Sequence, residues 1–262
     1  MANPLSAELG TMRTSQLPGI VQALAYNHAR QQERVRLFEL GRSFHARRGE
    51  APLEVDRLSL AACGPANQEH WDQRRRAFDF HDLKGDIEAL IGLGGAADRW
   101  TFEPIGDVPS LHPGRAARVR FEGRDVGFVG ALHPSLLKAL DLDLDVFVAE
   151  IELDALRTAQ VPSARPLSRY PQVRRDIAVT VPEVVAFADM AGAVREVIGS
   201  ELEHLIAFDE YRGSGLSEGV KSVAMGLILR NPSRTLTDED ADAAVARAVQ
   251  VLAERFGAGL RG

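Results

Sequence analysis

The sequence predicts an α+β protein of two domains, and three observations lead to that prediction. The chain has 262 residues, more than the usual domain size of about 100 to 150 residues. Its first half shows two helical segments among strand segments, and its second half alternates strands and helices in a definite order. Between the halves lies RTAQVPSARPLSRYPQV, a segment with three prolines and no apolar periodicity. Such a segment is typical of a linker.

The first half predicts a helix, two strands, a second helix and a further set of strands. TSQLPGIVQALAYNHARQ has a proline near its start and places Ile20, Val21 and Leu24 at helical spacing. RVRLFELGRSF and DRLSLAACG then read as strands, and FDFHDLKGDIEALIGLGG as a helix that ends at a glycine pair. RWTFEPI, RAARVRFEGRDVGFVGAL and DVFVAEIEL predict more strands, the middle one a hairpin that turns at residues 122–125.

The second half predicts the order β-α-β-β-α-β. The successive segments are RRDIAVTV, FADMAGAVREVIG, LEHLIAFDEY, KSVAMGLILR, TDEDADAAVARAVQVLAERFG and AGLRG. This order is the ferredoxin-like pattern of four antiparallel strands with both helices on one face. Thr237 is the expected N-cap of the long helix, with Asp240 at the third helical position. We place the first domain at residues 1–157, the linker at 158–167 and the second domain at 168–262.

The composition excludes several classes of protein. With 45% hydrophobic and 26% charged residues, the chain is expected to fold rather than to be disordered. No apolar run approaches the roughly 20 residues of a membrane span, and the N-terminus does not resemble a signal peptide. We therefore expect a cytoplasmic protein with no membrane partner. The net charge of −6 argues against nucleic-acid binding over the whole surface, but it allows a local basic patch.

The sequence does not predict a metal site. His112 and His133 lack a second ligand at the spacing of a zinc motif, and the aspartates at 141, 143 and 145 lack the glycine and glutamate of a calcium loop. The His-Pro pairs instead predict the end of a strand and the start of a helix, with Pro134 as the first helical residue. The single cysteine, Cys63, is expected to be a buried strand thiol.

Several motifs carry a resemblance to one family. The segments SRYPQVRRDIAV, FDEYRGSGLSEGVKSVAMGLILR, RTLTDED and FGAGLR resemble the ferredoxin-fold anticodon-binding domain of phenylalanyl-tRNA synthetase β subunits. The segments NPLSAELGTMRTSQLPGIVQALAYNHAR, VRLFELGRSF, DFHDLKGDIEAL, LHPGRAA and VGFVGALHPSLLKALDL resemble the catalytic-like domain of the same subunit. The resemblance implies a class II synthetase-like antiparallel sheet domain in the first half. It also implies that the chain corresponds to the C-terminal third of such a subunit.

The first domain lacks the ATP-binding arginines of class II synthetases, so the resemblance implies no catalytic residue in this chain. His45 follows Phe44 where the second class II motif has its arginine, and VGFVGALHP offers Gly127 and Gly130 without the arginine of the third motif. Arg47 and Arg48 read better as part of a solvated turn than as replacements. The full phenylalanine-tRNA ligase uses ATP and magnesium, and in the family a catalytic α subunit pairs with β in an α2β2 heterotetramer.

The resemblance also implies a site for the anticodon stem-loop of tRNA(Phe) on the second domain. A four-stranded sheet with both helices on one face leaves the other face open for unpaired bases. The predicted RNA-contacting residues are Arg169, Tyr170, Arg174, Arg175, Tyr211, Lys221 and Arg234.

Other roles remain open for individual residues and for the whole chain. Phe208 reads equally as core or as a stacking surface, and Arg175 could pair with Asp176. Arg234 either contacts RNA or braces the turn before the last helix, with Asp238 as the expected partner. The alternative for the whole chain is an amino-acid-sensing module that binds its ligand at the glycine-rich YRGSGLSEG. The helix of residues 18–32 is expected to pack against the α subunit.

Overall fold

The structure is a computed structural model that describes residues 10–158 and 168–261. The chain divides into two compact units, residues 1–163 (unit 1) and 164–262 (unit 2). The predicted linker at 158–167 lies, apart from its first residue, outside the described residues. Within those residues, no helix combines the length and the apolar character that crossing a membrane requires.

Unit 1 contains one six-stranded sheet with helices on both faces. The strands run in the order β1-β2-β6-β5-β4-β3, and each pair of neighbours is antiparallel. The predicted strands and the two main helices are confirmed. The elements are α1 (Leu17–His28), β1 (Val35–His45), β2 (Leu53–Cys63), α2 (Phe80–Leu93), β3 (Trp100–Pro104), β4 (Leu111–Phe121), β5 (Arg124–Leu132), α3 (Pro134–Ala139), β6 (Val146–Glu152) and α4 (Leu153–Leu156).

The two long helices of unit 1 cover opposite faces of its sheet. Ile20 and Leu24 of α1 are buried against Val146 and Val148 of β6 and their neighbours. Leu83 and Ile87 of α2 join the separate cluster that includes the alternate β6 residues, from Phe147 to Ile151. The apolar residues of α1 that suggested a partner-facing helix therefore pack within unit 1 itself.

The turn and the helix start that short motifs predicted in unit 1 are present, but one predicted helix start is not. Glu122 and Gly123 both have positive φ in the hairpin turn, as the tight turn between antiparallel strands requires. His133 caps α3 by accepting a hydrogen bond from the Ser135 amide, and Pro134 begins that helix. His112 lies inside β4, so the expectation that it precedes a helix is wrong. The strand continues there because Leu111 pairs with Leu132 of β5.

Cys63 is buried at the end of β2, as predicted, and burial raises the pKa of its thiol. Among residues 10–158 and 168–261 the structure shows no cluster of three or more side chains suited to a metal ion.

Unit 2 has the predicted β-α-β-β-α-β order and forms a four-stranded antiparallel sheet, β10-β7-β9-β8. Both helices pack on one face, around Val179, Met190, Met225 and Leu252. Its elements are β7 (Val173–Pro182), α5 (Phe187–Ile198), β8 (Leu202–Tyr211), β9 (Val220–Leu229), α6 (Asp238–Phe256) and β10 (Gly259–Leu260). The α+β class, the antiparallel sheets and the ferredoxin-like arrangement of unit 2 are thus present.

Candidate nucleic-acid interface

Within residues 168–261, the sheet of unit 2 has one face that no helix covers. In β7 the residues Ile177, Val179 and Val181 are buried in the core with the helices. Since successive side chains of a strand point to opposite faces, Arg174 and Asp176 lie on the other face, which we call the open face.

The first aromatic side chain of the open face is Phe208, which is 50% exposed. The guanidinium carbon of Arg174 stands 5.4 Å from the centre of the Phe208 ring, within the range of a cation–π contact. Arg174 Nε donates to Asp176 Oδ1 at 2.7 Å, which fixes the guanidinium group. The pair joins the two strands β7 and β8 across the middle strand β9.

A second pair lies further along β8. The guanidinium carbon of Arg261 is 5.2 Å from the centre of the Tyr211 ring. The Arg261 amide donates to the Ala178 carbonyl at 2.8 Å, so the residue after β10 is held against β7. The Tyr211 hydroxyl donates to the Ser214 carbonyl at 2.9 Å, which orients the ring.

These two pairs give the open face the chemistry of a surface for unpaired bases. Exposed aromatic rings stack with any base, because every base has a π-face, and guanidinium groups both stack and donate to phosphate oxygens. Arg174 and Arg261 place two guanidinium groups on this face, the first of them paired with Asp176, although the chain as a whole carries −6.

The structure separates the predicted site residues into groups, and two of them lie on the helix side of the sheet. Arg175 donates to Asp238 and Asp242 of α6 at 2.5 and 2.9 Å. Asp176 pairs with Arg174 instead, so the alternative of an Arg175–Asp176 ion pair is wrong. Lys221 has a side chain only 7% exposed and lies 3.4 Å from Glu210. A phosphate group has little access to it, and we leave it out of the proposed site.

Arg169 and Tyr170 precede β7, where Arg169 is exposed and Tyr170 is half-buried. The Tyr170 amide donates to Ser168 Oγ at 3.2 Å, and the Ser168 hydroxyl donates to the Tyr170 carbonyl at 3.4 Å. These contacts order a short turn at the entrance of unit 2. They do not join Tyr170 to the two open-face pairs.

Arg234 forms a bidentate ion pair with Asp240, not with the predicted Asp238. Asp240 also accepts hydrogen bonds from the amide and hydroxyl of Thr237, and the Thr237 hydroxyl accepts from the Asp240 amide. This is the capping box expected for α6. The Arg234 hydrogen bonds, with those of Thr237, hold the pKa of Asp240 far below its usual range. The contacts of Arg234 are those of a brace on the helix start.

Of the seven predicted residues, the open face thus brings together Arg174 and Tyr211. It adds Phe208, which the sequence left undecided, and Arg261, which the sequence analysis missed. Arg261 follows the two-residue strand β10, and nothing in its local sequence indicates that it reaches an aromatic ring on β8.

Unit 1 presents a different surface, along its edge strand β1. Phe38 and Leu40 of β1 are 72% and 58% exposed, and Leu93 of α2 is 84% exposed. Leu90 of α2 lies beside them in one shallow groove. We call these four residues the apolar edge. Patches of this kind on a surface usually mark a protein contact.

The positions that resemble class II motifs have structural explanations in unit 1. His45 Nε2 lies 3.2 Å from Ser43 Oγ, and Arg47 pairs with Glu50 at 3.5 Å in the turn after β1. A side chain at Gly127 would overlap the Glu150 carbonyl, and one at Gly130 would come within 2.7 Å of the Ala116 methyl. The two glycines therefore allow neighbouring strands to approach closely.

Comparisons with known proteins agree with this architecture. Residues 1–153 match the family model described as "Phenylalanyl tRNA synthetase beta chain CLM domain". Residues 168–261 match the "Ferredoxin-fold anticodon binding domain". Unit 2, with its open face, is thus a domain of the anticodon-binding class. The chain is a member of the phenylalanyl-tRNA synthetase β chain family.

The curated relatives are longer than this chain. The β subunit of phenylalanine–tRNA ligase from Xanthomonas campestris pv. campestris (strain 8004) is 47% identical over 263 residues, which cover 100% of this chain and 33% of the relative. The same subunit from Xylella fastidiosa (strain 9a5c) is 45% identical with the same coverage. The chain spans about a third of their length, and its assignment to the C-terminal third stays a prediction. None of these matches is to an amino-acid-sensing module.

A solved pyrrolysyl-tRNA synthetase from Desulfitobacterium hafniense is also similar, with a TM-score of 0.41 and 13% sequence identity. The match covers 55% of this chain and 48% of that one.

Proposed function

We propose that this chain is a non-catalytic portion of a phenylalanine–tRNA ligase β subunit and that its unit 2 binds the anticodon stem-loop of tRNA(Phe). The observation that carries the proposal is the pair of arginine–aromatic contacts on one open sheet face, Arg174 with Phe208 and Arg261 with Tyr211. The match of residues 168–261 to an anticodon-binding domain family supports the same ligand.

The proposal gives unit 1 the role of docking the catalytic α subunit. The apolar edge of Phe38, Leu40, Leu90 and Leu93 is the surface that supports this role. We place unit 1 in the class II synthetase-like fold, in a protein that assembles as α2β2 in the cytoplasm. ATP and magnesium are then used by the full enzyme, at a site that this chain does not supply.

RNA binding is tested with the full chain and a labelled anticodon stem-loop. The isolated surface should bind weakly, at about tens of micromolar, since it offers two stacking contacts and few phosphate contacts. Phe208→Ala should weaken binding at least fivefold with little change in its salt dependence, because base stacking contributes about 1 to 3 kcal/mol. Arg174→Ala should lower the slope of log K against log salt by up to about one unit.

Arg195→Ala is the matched control, since Arg195 is an exposed arginine on α5, on the covered side of the sheet. Tyr170→Ala tests the remaining predicted aromatic residue and should also weaken binding without changing the salt slope. If Arg174→Ala and Arg195→Ala lower the affinity for the stem-loop equally, the interaction is a non-specific charge attraction. Absence of binding at millimolar concentration and low salt would refute the RNA assignment.

The non-catalytic role is tested separately. The chain mixed with phenylalanine, ATP and magnesium should show no phenylalanine-dependent pyrophosphate exchange, because His45 replaces an ATP-binding arginine. Exchange that survives repurification and disappears in Arg47→Ala or Arg48→Ala would show that one of these residues replaces the missing cation.

A further inference from the structure

We propose that Gly226, in the middle strand of unit 2, is a positioning residue for the open face. By having no side chain it lets Arg174 cross strand β9 and stand over Phe208. The resulting group of Arg174, Asp176 and Phe208 is a preformed platform for one unpaired base and its phosphate. The choice of ligand rests on the proposed function, whereas the role of Gly226 in placing Arg174 does not.

The strand register places Gly226 at the centre of this group. Gly226 pairs with Asp176 of β7 on one side and with Ile206 of β8 on the other. A β-carbon built on Gly226 would lie 2.9 Å from Asp176 Oδ1, 3.1 Å from Arg174 Nε and 3.2 Å from Arg174 Nη2. The space that any other residue would fill is therefore taken by the Arg174–Asp176 ion pair.

The other usual reasons for glycine do not apply at this position. Gly226 is not among the glycines with positive φ, so its backbone conformation is open to any residue. In the described part of unit 2 no helix covers the open face, so close packing of a second layer does not require a glycine there. Glycine within a strand is also entropically unfavourable. What remains is the room it gives to the two side chains from β7.

Only part of the hydrogen-bonding capacity of Arg174 is used in this arrangement. Its Nε donates to Asp176, while the described residues provide no hydrogen-bond partner for its two terminal amino groups. These amino groups can donate to a phosphate or a base edge, and the guanidinium plane and the Phe208 ring offer faces for stacking. A carboxylate that fixes the plane in advance reduces the entropy lost when RNA binds.

The placement is tested first without RNA, by NMR of the arginine Nε–H groups of the full chain. In the wild type the Arg174 Nε–H should give a resolved signal with slowed hydrogen exchange. Asp176→Asn and Gly226→Ala should each shift this signal and its exchange rate toward those of a solvent-exposed arginine whose Nε–H has no acceptor. Gly192→Ala, at a helix position where a β-carbon meets nothing within 4 Å, should leave the signal unchanged. A wild-type signal that already exchanges like a free arginine would overturn the inference, and so would a signal unaffected by Gly226→Ala.

The consequence for RNA is tested by a double-mutant cycle with the anticodon stem-loop. Gly226→Ala should reduce affinity by about two- to fivefold, the range of one exposed cation–π contact. It should leave the melting temperature unchanged or higher, because only movable side-chain ends must give way. In an Arg174→Ala background the same change should have no further effect. If Gly226→Ala lowers the affinity by the same factor in the Arg174→Ala background, Gly226 does not act through Arg174.

The two hypotheses fail in different ways. If the wild type binds no stem-loop while the NMR changes appear, the RNA assignment fails and the positioning role of Gly226 stands. If RNA binds normally and the NMR signal ignores Gly226→Ala, the positioning role fails and the RNA assignment stands.

Discussion

The two units each contain a single antiparallel sheet, but they differ in how many faces of the sheet are covered by helices. Unit 1 covers both faces, with α1 on one side and α2 on the other, and a group of its exposed apolar residues lies together on the edge strand β1 and the adjacent end of α2. Unit 2 places both helices on one face and leaves the other to arginine–aromatic pairs. Where helices cover both faces of a sheet, a protein partner that contacts the sheet itself does so at its edge strand. An open face can receive flat ligands such as bases.

The units also differ in how they secure the start of a helix. In unit 1 the buried Glu150 of β6 accepts from the Gln16 amide at 2.7 Å and from the Ser15 hydroxyl at 2.9 Å, just before α1. In unit 2 the solvent-exposed pair of Arg234 and Asp240 performs the corresponding task for α6. A buried carboxylate cannot be replaced by water, whereas an exposed one can.

The largest effect is expected at the buried carboxylate. Glu150→Ala should lower the free energy of unfolding of unit 1 by about 3 kcal/mol, because it removes the ion-pair partner of Arg57 and the acceptor of the hydrogen bonds at the start of α1. Denaturant unfolding followed by tryptophan fluorescence measures this, since both tryptophans, Trp71 and Trp100, lie in unit 1.

Glu152→Ala is the control for this change. Glu152 is on the same strand and forms an ion pair with Arg124 at the surface, so its loss should cost less than about 1 kcal/mol. Equal losses for the two variants would contradict a special role for the buried carboxylate.

The next largest effect concerns the α subunit and the apolar edge. Phe38→Asp should weaken association with α by about 30-fold or more, the size typical of a central aromatic contact, and should leave the fold intact because Phe38 is 72% exposed. Calorimetric titration of the full chain with α measures the affinity.

Tyr26→Asp provides the matched control, because Tyr26 is an exposed aromatic residue on α1. If Tyr26→Asp weakens the association and Phe38→Asp does not, α docks on the helix that the sequence indicated. In that case the proposed role of the apolar edge is wrong.

The smallest effect is expected at the exposed brace. Arg234→Ala should lower the melting temperature of unit 2 slightly and leave RNA affinity unchanged, since the ion pair is exposed to solvent. Thermal unfolding and stem-loop titration of the same samples measure both quantities. Lost affinity at an unchanged melting temperature would instead make Arg234 an RNA contact.

The brace also predicts a pH dependence. The folded state holds the pKa of Asp240 below its unfolded value of about 3.9, so the unfolded chain binds the proton more readily. The contribution of Asp240 is therefore complete above about pH 4 and declines as the pH falls below it. The difference in melting temperature between wild type and Asp240→Asn should shrink from pH 7 to pH 3. A constant difference would show that the charge of Asp240 does not matter.

The sequence by itself determined the elements of the fold and their local ends. The two periods of the apolar residues, about 3.6 in α1 and α6 and 2 in β7, are local properties of the chain. The capping box of Thr237 and Asp240 spans only four residues, and the hairpin turn at Glu122 and Gly123 is equally local. For this reason the β-α-β-β-α-β order and the class of unit 2 could be predicted before any contact was known.

Only the tertiary structure decided which side chains meet. Arg174 and Arg175 are neighbours in sequence, yet one stands over Phe208 and the other pairs with α6, 63 and 67 residues away along the chain. Arg261 reaches Tyr211 because β10 joins the sheet beside β7. The significance of Gly226 likewise depends on the strands on both sides of it. Strand order and register bring together residues that are distant in sequence, so no local pattern of residues contains this information.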